Sequence, residues 1–222
     1  MSRTPLLVEF VVLYVALPLA YRLSPVRLPA LPVLWAVAGY ALWRLLADPH
    51  FDRAKLWNWA QFSGRNTPIL VPILAIFAVV ALLIWLGVRR FVPQLEWNFV
   101  RSSPAFWAIV MVAYPIVSVY PQALLYRAFF FERYSALFPG EWATIVASAA
   151  AFAFLHIIFR NWLAVGLTFA GGLLFASRYA ETGSLAVSTF EHAMYGCWLF
   201  TVGLGQYFYH GTIATVGTVM RR

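Results

Sequence analysis

Charge is what this chain has least of. Only 11% of its 222 residues are Asp, Glu, Lys or Arg, and acids are the scarcer sign, 8 against 16 Lys and Arg. A soluble domain carries about 25% charged residues. A surface this poor in charge cannot face water, which excludes an ordinary globular domain. Cysteine is nearly absent too: Cys197 stands alone, so no intrachain disulfide and no Cys-based metal site can form, and it reads as a small buried apolar residue. There is no internal repeat, no low-complexity tract and no His-Glu-x-x-His pair. Two histidines plus an acid leave zinc as an alternative, but no cofactor is expected.

What fills the chain instead is apolar. Hydrophobic residues make up 63% and aromatics 18%, and the mean hydropathy is +0.76. Spanning a bilayer takes about 20 mostly apolar residues. Runs of that kind cover 5–22, 29–47, 68–88, 104–131, 142–159, 162–180 and 184–203, and the tail 204–222 is a candidate eighth, short or interfacial segment. The expected fold is therefore all-α, a polytopic bundle of seven or eight transmembrane helices forming one membrane-embedded domain over 1–222. The N-terminal run resembles a signal peptide but is long and lacks a small-x-small site, so it reads as the first membrane helix. Pro18, Pro72, Pro115 and Pro121 fall inside the runs, where membrane helices tolerate them if neighbours satisfy the freed carbonyls. The polar connection 48–67 is expected at the interface as an amphipathic helix.

The excess of basic residues sits in short loops, at Arg22, Arg27, Arg89, Arg90, Arg101, Arg221 and Arg222. There it anchors helix ends to lipid headgroups rather than binding nucleic acid. The ten Trp and eleven Tyr fit interfacial belts. Loop charge is balanced between the two sides and does not orient the chain.

A few polar residues interrupt the apolar runs. Ionisable groups at membrane depth are costly and usually face an interior where they act. In 119–134, VYPQALLYRAFFFERY, Gln122 and Tyr126 share a helical face, and Arg127 shares one with Ala123. An acid at 123 would pair with Arg127 in the favourable i, i+4 order. Without it Arg127 borrows a counter-ion from elsewhere or snorkels to the interface. His156 follows Phe152 by one turn, and His192 lies beside Glu191 on another run. Imidazole serves as base, donor or ligand near neutrality. Glu191 and His192 are about 100° apart on a helix, so Glu191 reads as half of a structural ion pair, with Arg127, Arg178 or Arg160. Gly166, Gly171 and Gly172 allow close helix packing. A small transporter or proton channel would use the same histidines and Arg127 as relay groups.

These motifs resemble the CPBP family, the CAAX-processing, bacteriocin-processing and self-immunity membrane proteins that include glutamate-type intramembrane endopeptidases. The family's Glu-Glu-x-x-x-Arg or Gln-Glu-x-x-x-Arg reads here Gln122-Ala123-Leu124-Leu125-Tyr126-Arg127; Phe-x-x-x-His is intact as Phe152 to His156. His-x-x-x-Asn/Asp becomes His192-Ala193-Met194-Tyr195-Gly196. The resemblance covers about 104–203 and implies hydrolysis of a membrane-anchored or lipid-modified peptide. In that scheme the motif glutamate and His156 activate water, while His192 and its partner stabilise the oxyanion. It also implies a membrane-lipid environment and a bacterial inner membrane. Two departures stand out. Ala123 occupies the position of the catalytic glutamate, by deliberate inactivation or in a natural pseudoenzyme, so the chain as written is expected not to cleave. Gly196 has no side-chain donor, for which Tyr195 or Asn161 are the candidate substitutes. A non-catalytic binding or self-immunity protein on the same fold is the alternative.

Overall fold

The computed structural model describes residues 3–26, 28–62 and 69–208. Among them every regular element is helical. Six helices are long and apolar enough to cross a membrane: α1 (Arg3–Leu23), α2 (Ala30–Ala47), α3 (Leu70–Phe91), α4 (Pro104–Leu137), α5 (Glu141–Phe159) and α6 (Trp162–Thr182). A seventh, α7 (Leu185–Val202), is interrupted by Ser188, Thr189, Glu191 and His192 and is less apolar. It can be less apolar because it packs inside the bundle, where protein rather than lipid meets those side chains. The chain is an integral membrane protein built as a helical bundle.

The axis of the bundle is the middle of α4, where every residue from Pro121 to Phe130 is buried. Two prolines shape it. Pro115 and Pro121 have no N–H for the carbonyls of Met111 and Val117 four residues earlier. The Trp35 indole on α2 donates to the Val117 carbonyl at 2.9 Å, and Cys197 Sγ on α7 points at the Met111 carbonyl at 3.8 Å. Two wide, π-type stretches follow, Pro115–Val119 and Leu124–Phe129. Such bulges loosen the backbone ladder and are frequent at functional sites. In the second, side chains of neighbouring helices take up carbonyls: the buried Tyr14 hydroxyl of α1 donates to Leu125 at 2.9 Å, and Ser148 of α5 donates to Tyr126.

Helices α5 and α6 pack closely because Gly172 lets the backbones meet; a Cβ there would lie 3.0 Å from Ala149 Cα. The turn from α6 to α7 is dictated locally. Gly183, at φ 59°, ends α6 in the left-handed conformation glycine adopts freely, and Ser184 caps α7 by accepting from the Val187 N–H at 3.3 Å. This hairpin sets Arg178 against Glu191, Nε to Oε2 at 3.0 Å.

Two sequence expectations need correction or bounding. The 48–67 connection does not form an amphipathic helix over its described part. It makes two short 3₁₀ turns, Arg53–Leu56 and Trp59–Phe62, anchored by buried Leu56 and by Trp57 stacked on Tyr120 at 4.9 Å. Asp52 caps the first by accepting from the Ala54 N–H at 2.9 Å, a local bond that competes with a longer helix. Of the tail, Leu204–Phe208 is a 3₁₀ turn and 209–222 lies outside the described residues. Arg27, Arg221 and Arg222 lie outside them as well.

Candidate functional site

Three helices bring polar groups to one aromatic ring. Phe152 on α5 touches Tyr126 and Arg127 of α4, His156 one turn along its own helix, and His192 of α7. The ring centroids lie 5.4 Å from Tyr126, 4.7 Å from His156 and 5.3 Å from His192, and Arg127 Cζ sits over the ring at 4.3 Å. Phe175 of α6 closes the far side: it stacks on His192 at 4.6 Å and lies 5.4 Å from Arg127 Cζ. The i, i+4 spacing of Phe152 and His156 and the separate runs carrying Arg127 and His192 thus converge on one place.

His156 sits where α5 tightens into its last 3₁₀ turn. Its Nδ1 lies 2.7 Å from the Phe152 carbonyl. A carbonyl can only accept, so Nδ1 carries the hydrogen and Nε2 keeps its lone pair, ready to hold or deprotonate water. His192 Nδ1 is buried with no hydrogen-bond partner among the described residues, as is the Tyr195 hydroxyl one turn later. The Tyr195 ring packs on Phe77 at 5.2 Å and on Phe175 at 5.8 Å.

Arg127 is fully buried, which removes the snorkelling alternative. None of its Nε, Nη1 and Nη2 has a hydrogen-bond partner among the described residues. The acids are engaged elsewhere or exposed. Glu132 meets Lys55 at 3.4 Å, Glu9 meets Arg133 at 2.8 Å, and Glu181 and Glu191 meet Arg178. Asp48, Asp52 and Glu96 accept from local donors, and Glu141 is exposed at the start of α5. A buried guanidinium held only by two aromatic faces is an unusual and costly state, for which cation–π contact compensates by about 2 kcal/mol.

A cavity of about 660 Å³ opens beside this cluster, walled by apolar residues of α1, α2 and α4 and by the end of α5. Its polar wall includes Tyr114, Ser118, Gln122, Tyr126 and His156. Gln122 Nε2 donates to the Ser118 carbonyl at 2.9 Å and to Ser118 Oγ at 2.8 Å, which leaves Oε1 as the end of the amide that Ser118 does not engage. Ala123 is not part of that wall; it is buried among core side chains. Successive residues on a helix point about 100° apart, so 122 and 123 cannot both face the cavity squarely.

Residues 103–198 match the family model described as type II CAAX prenyl endopeptidase Rce1-like. This stretch is Rce1-like. No curated protein and no solved structure matches the chain. The Rce1-like stretch takes in Tyr114, Gln122, Arg127, Phe152, His156, Phe175, His192 and Tyr195, and leaves out α1 to α3.

Within the Rce1-like stretch, Asn161 stands apart from the cluster. Its Oδ1 caps α6 by accepting from the Ala164 N–H at 2.7 Å, and its Nδ2 donates to the carbonyls of Tyr207 at 2.9 Å and Phe159 at 3.3 Å. With both ends of the amide committed, it is not free to donate to a substrate. Glu191 pairs with Arg178 and not with Arg127. No group of three or more His, Cys, Asp or Glu gathers as a metal site among the described residues. Sequence reasoning passed over Phe175, Ser118 and Tyr114, which reach the site from other turns or other helices. The one signal for Tyr114 was Gly196, a glycine where a side chain is expected and hence a space that another residue can fill.

Proposed function

We propose that the Rce1-like stretch is the frame of an intramembrane endopeptidase for lipid-modified peptides, and that the chain as it stands binds such peptides without cutting them. The single observation that carries this is Arg127: fully buried, without an acid, four residues after Ala123 and on the same Phe152 ring as both histidines. A carboxylate is missing from this site, and the motif gives it two seats, 122 and 123. The geometry supports a division between them. An acid at 123 has Arg127 four residues on for a partner, whereas one at 122 shares the cavity with His156.

In the acid-bearing form the chemistry is simple to write. Water lies between the 122 carboxylate and His156 Nε2, and the carboxylate takes its proton as the oxygen attacks the peptide carbonyl carbon. The carbonyl π electrons move onto oxygen, and the His192 side supplies hydrogen-bond donation there. Collapse expels the amine, which recovers the proton. Preorganised donors in a dry site are worth about 2.7–4 kcal/mol each to such a step. As written, Gln122 cannot accept the proton and Ala123 has no group to do so.

The cavity is large enough for a lipid chain and nearly all apolar, with its few polar groups on the wall that carries Gln122 and His156. That supports a prenylated or otherwise lipidated peptide whose scissile bond lies near those residues. On resemblance alone, the membrane is a bacterial inner membrane. A second reading, a non-catalytic binding or self-immunity protein, is favoured by the same acid-free pair. Gln122→Glu/Ala123→Glu with a farnesylated peptide in liposomes separates the two. The hydrolytic reading expects cleavage that is lost with His156→Ala. A variant that binds the peptide but leaves it whole supports the second.

A further inference from the structure

Gly196 follows His192 by four residues, so any side chain at 196 would project from the face that His192 presents. The space is already taken. A Cβ built on Gly196 collides with the edge and hydroxyl of Tyr114, and would lie 2.7 Å from the Tyr114 ring carbon that bears the oxygen. Tyr114 belongs to α4, immediately before the first π-type stretch, and its ring is held edge-on against Phe200 at 5.1 Å. It also lines the cavity that Gln122 and His156 line. A donor from α4 therefore stands where a side chain of α7 would otherwise reach, and glycine at 196 is what makes room for it.

We propose that the Tyr114 hydroxyl is the hydrogen-bond donor to the substrate carbonyl, doing from α4 what an amide at 196 would do from α7. This rests on the hydrolytic reading for its substrate, but its test does not need an active enzyme. Tyr114 touches the carbonyl oxygen and donates one hydrogen bond that strengthens as negative charge develops there; no proton is transferred.

The probe is a farnesylated peptide in which a phosphinate replaces the scissile amide, with the intact farnesylated peptide as control, both titrated against the full chain in nanodiscs. Tyr114→Phe keeps the ring and removes only the donor. Phosphinate affinity is expected to fall about tenfold or more, the effect of one hydrogen bond to a charged acceptor, with the control unchanged. Tyr114→Ala/Gly196→Asn returns an amide to the vacated volume and is expected to recover most of the loss. Equal phosphinate binding by Tyr114→Phe and the unsubstituted chain overturns the proposal. So does a loss shared equally by phosphinate and control, which would mark a packing role, and so does absence of phosphinate binding altogether. Tyr114-dependent binding in a chain that never cleaves, even as Gln122→Glu/Ala123→Glu, upholds the donor and sinks the hydrolytic reading on its own.

Discussion

Two arginines are buried among the described residues of this bundle, and the chain treats them in opposite ways. Arg178 on α6 lies against two carboxylates, Glu191 at 3.0 Å and Glu181 at 2.6 Å, and the α6–α7 hairpin is built to bring the first of these to it. Arg127 on α4 is more deeply buried and has none, only the faces of Phe152 and Phe175. The first shows how this fold buries a cation when the purpose is structural: an acid on the facing helix, in a sealed contact. The second departs from that rule at the spot where two histidines, an amide and a cavity meet. Buried charges without partners cost stability, so a site that keeps one has lost a partner or reserves the charge for a ligand.

The contrast breaks most sharply at Glu191. Glu191→Ala strips Arg178 of its buried partner and is expected to cost about 3–5 kcal/mol of stability, read as a large fall in thermal midpoint in detergent. The next effect is one of sign. Arg178→Met leaves Glu191 buried and alone and lowers the midpoint. Arg127→Met, of similar length and no charge, removes an unpaired cation and raises stability by about 1–3 kcal/mol net of the lost cation–π contact. If both substitutions destabilise alike, Arg127 has a partner that the structure does not reveal. The smallest effect is a coupling: in the cycle of Ala123→Glu with Arg127→Met, the interaction term is expected to favour the Glu–Arg combination by about 1–3 kcal/mol. A term near zero would mean that an acid at 123 does not reach Arg127.

How much of this lay open in the sequence depends on distance along the chain. Each of the seven apolar runs became a helix within a few residues of its expected bounds, apart from the C-terminal end of α4, which continues to Leu137. Burial in lipid demands length and apolarity, and both are readable directly. Phe152 and His156 were legible as neighbours because one helical turn joins them. The π-type stretches were not, since proline marks where a helix loosens but not how the ladder reforms. Phe175 beneath His192, and Tyr114 in the space beside Gly196, are contacts between helices far apart in sequence, and no spacing rule encodes them. Asn161 is instructive in another way. An Asn immediately before a long apolar helix is an N-cap signal, and the structure spends its amide on that local duty.

On the proposed function, the site lacks a carboxylate and position 122 faces the reaction. The measurement that tests it most directly is cleavage of one farnesylated peptide, in liposomes, by Gln122→Glu, Ala123→Glu and the double variant side by side with the unsubstituted chain. The unsubstituted chain is expected to give no product, the double variant the fastest cleavage, Gln122→Glu slower cleavage, and Ala123→Glu alone a gain in stability without comparable cleavage. Cleavage by Ala123→Glu as fast as by the double variant would return the base to position 123, and no cleavage by any of them would contradict the hydrolytic account outright.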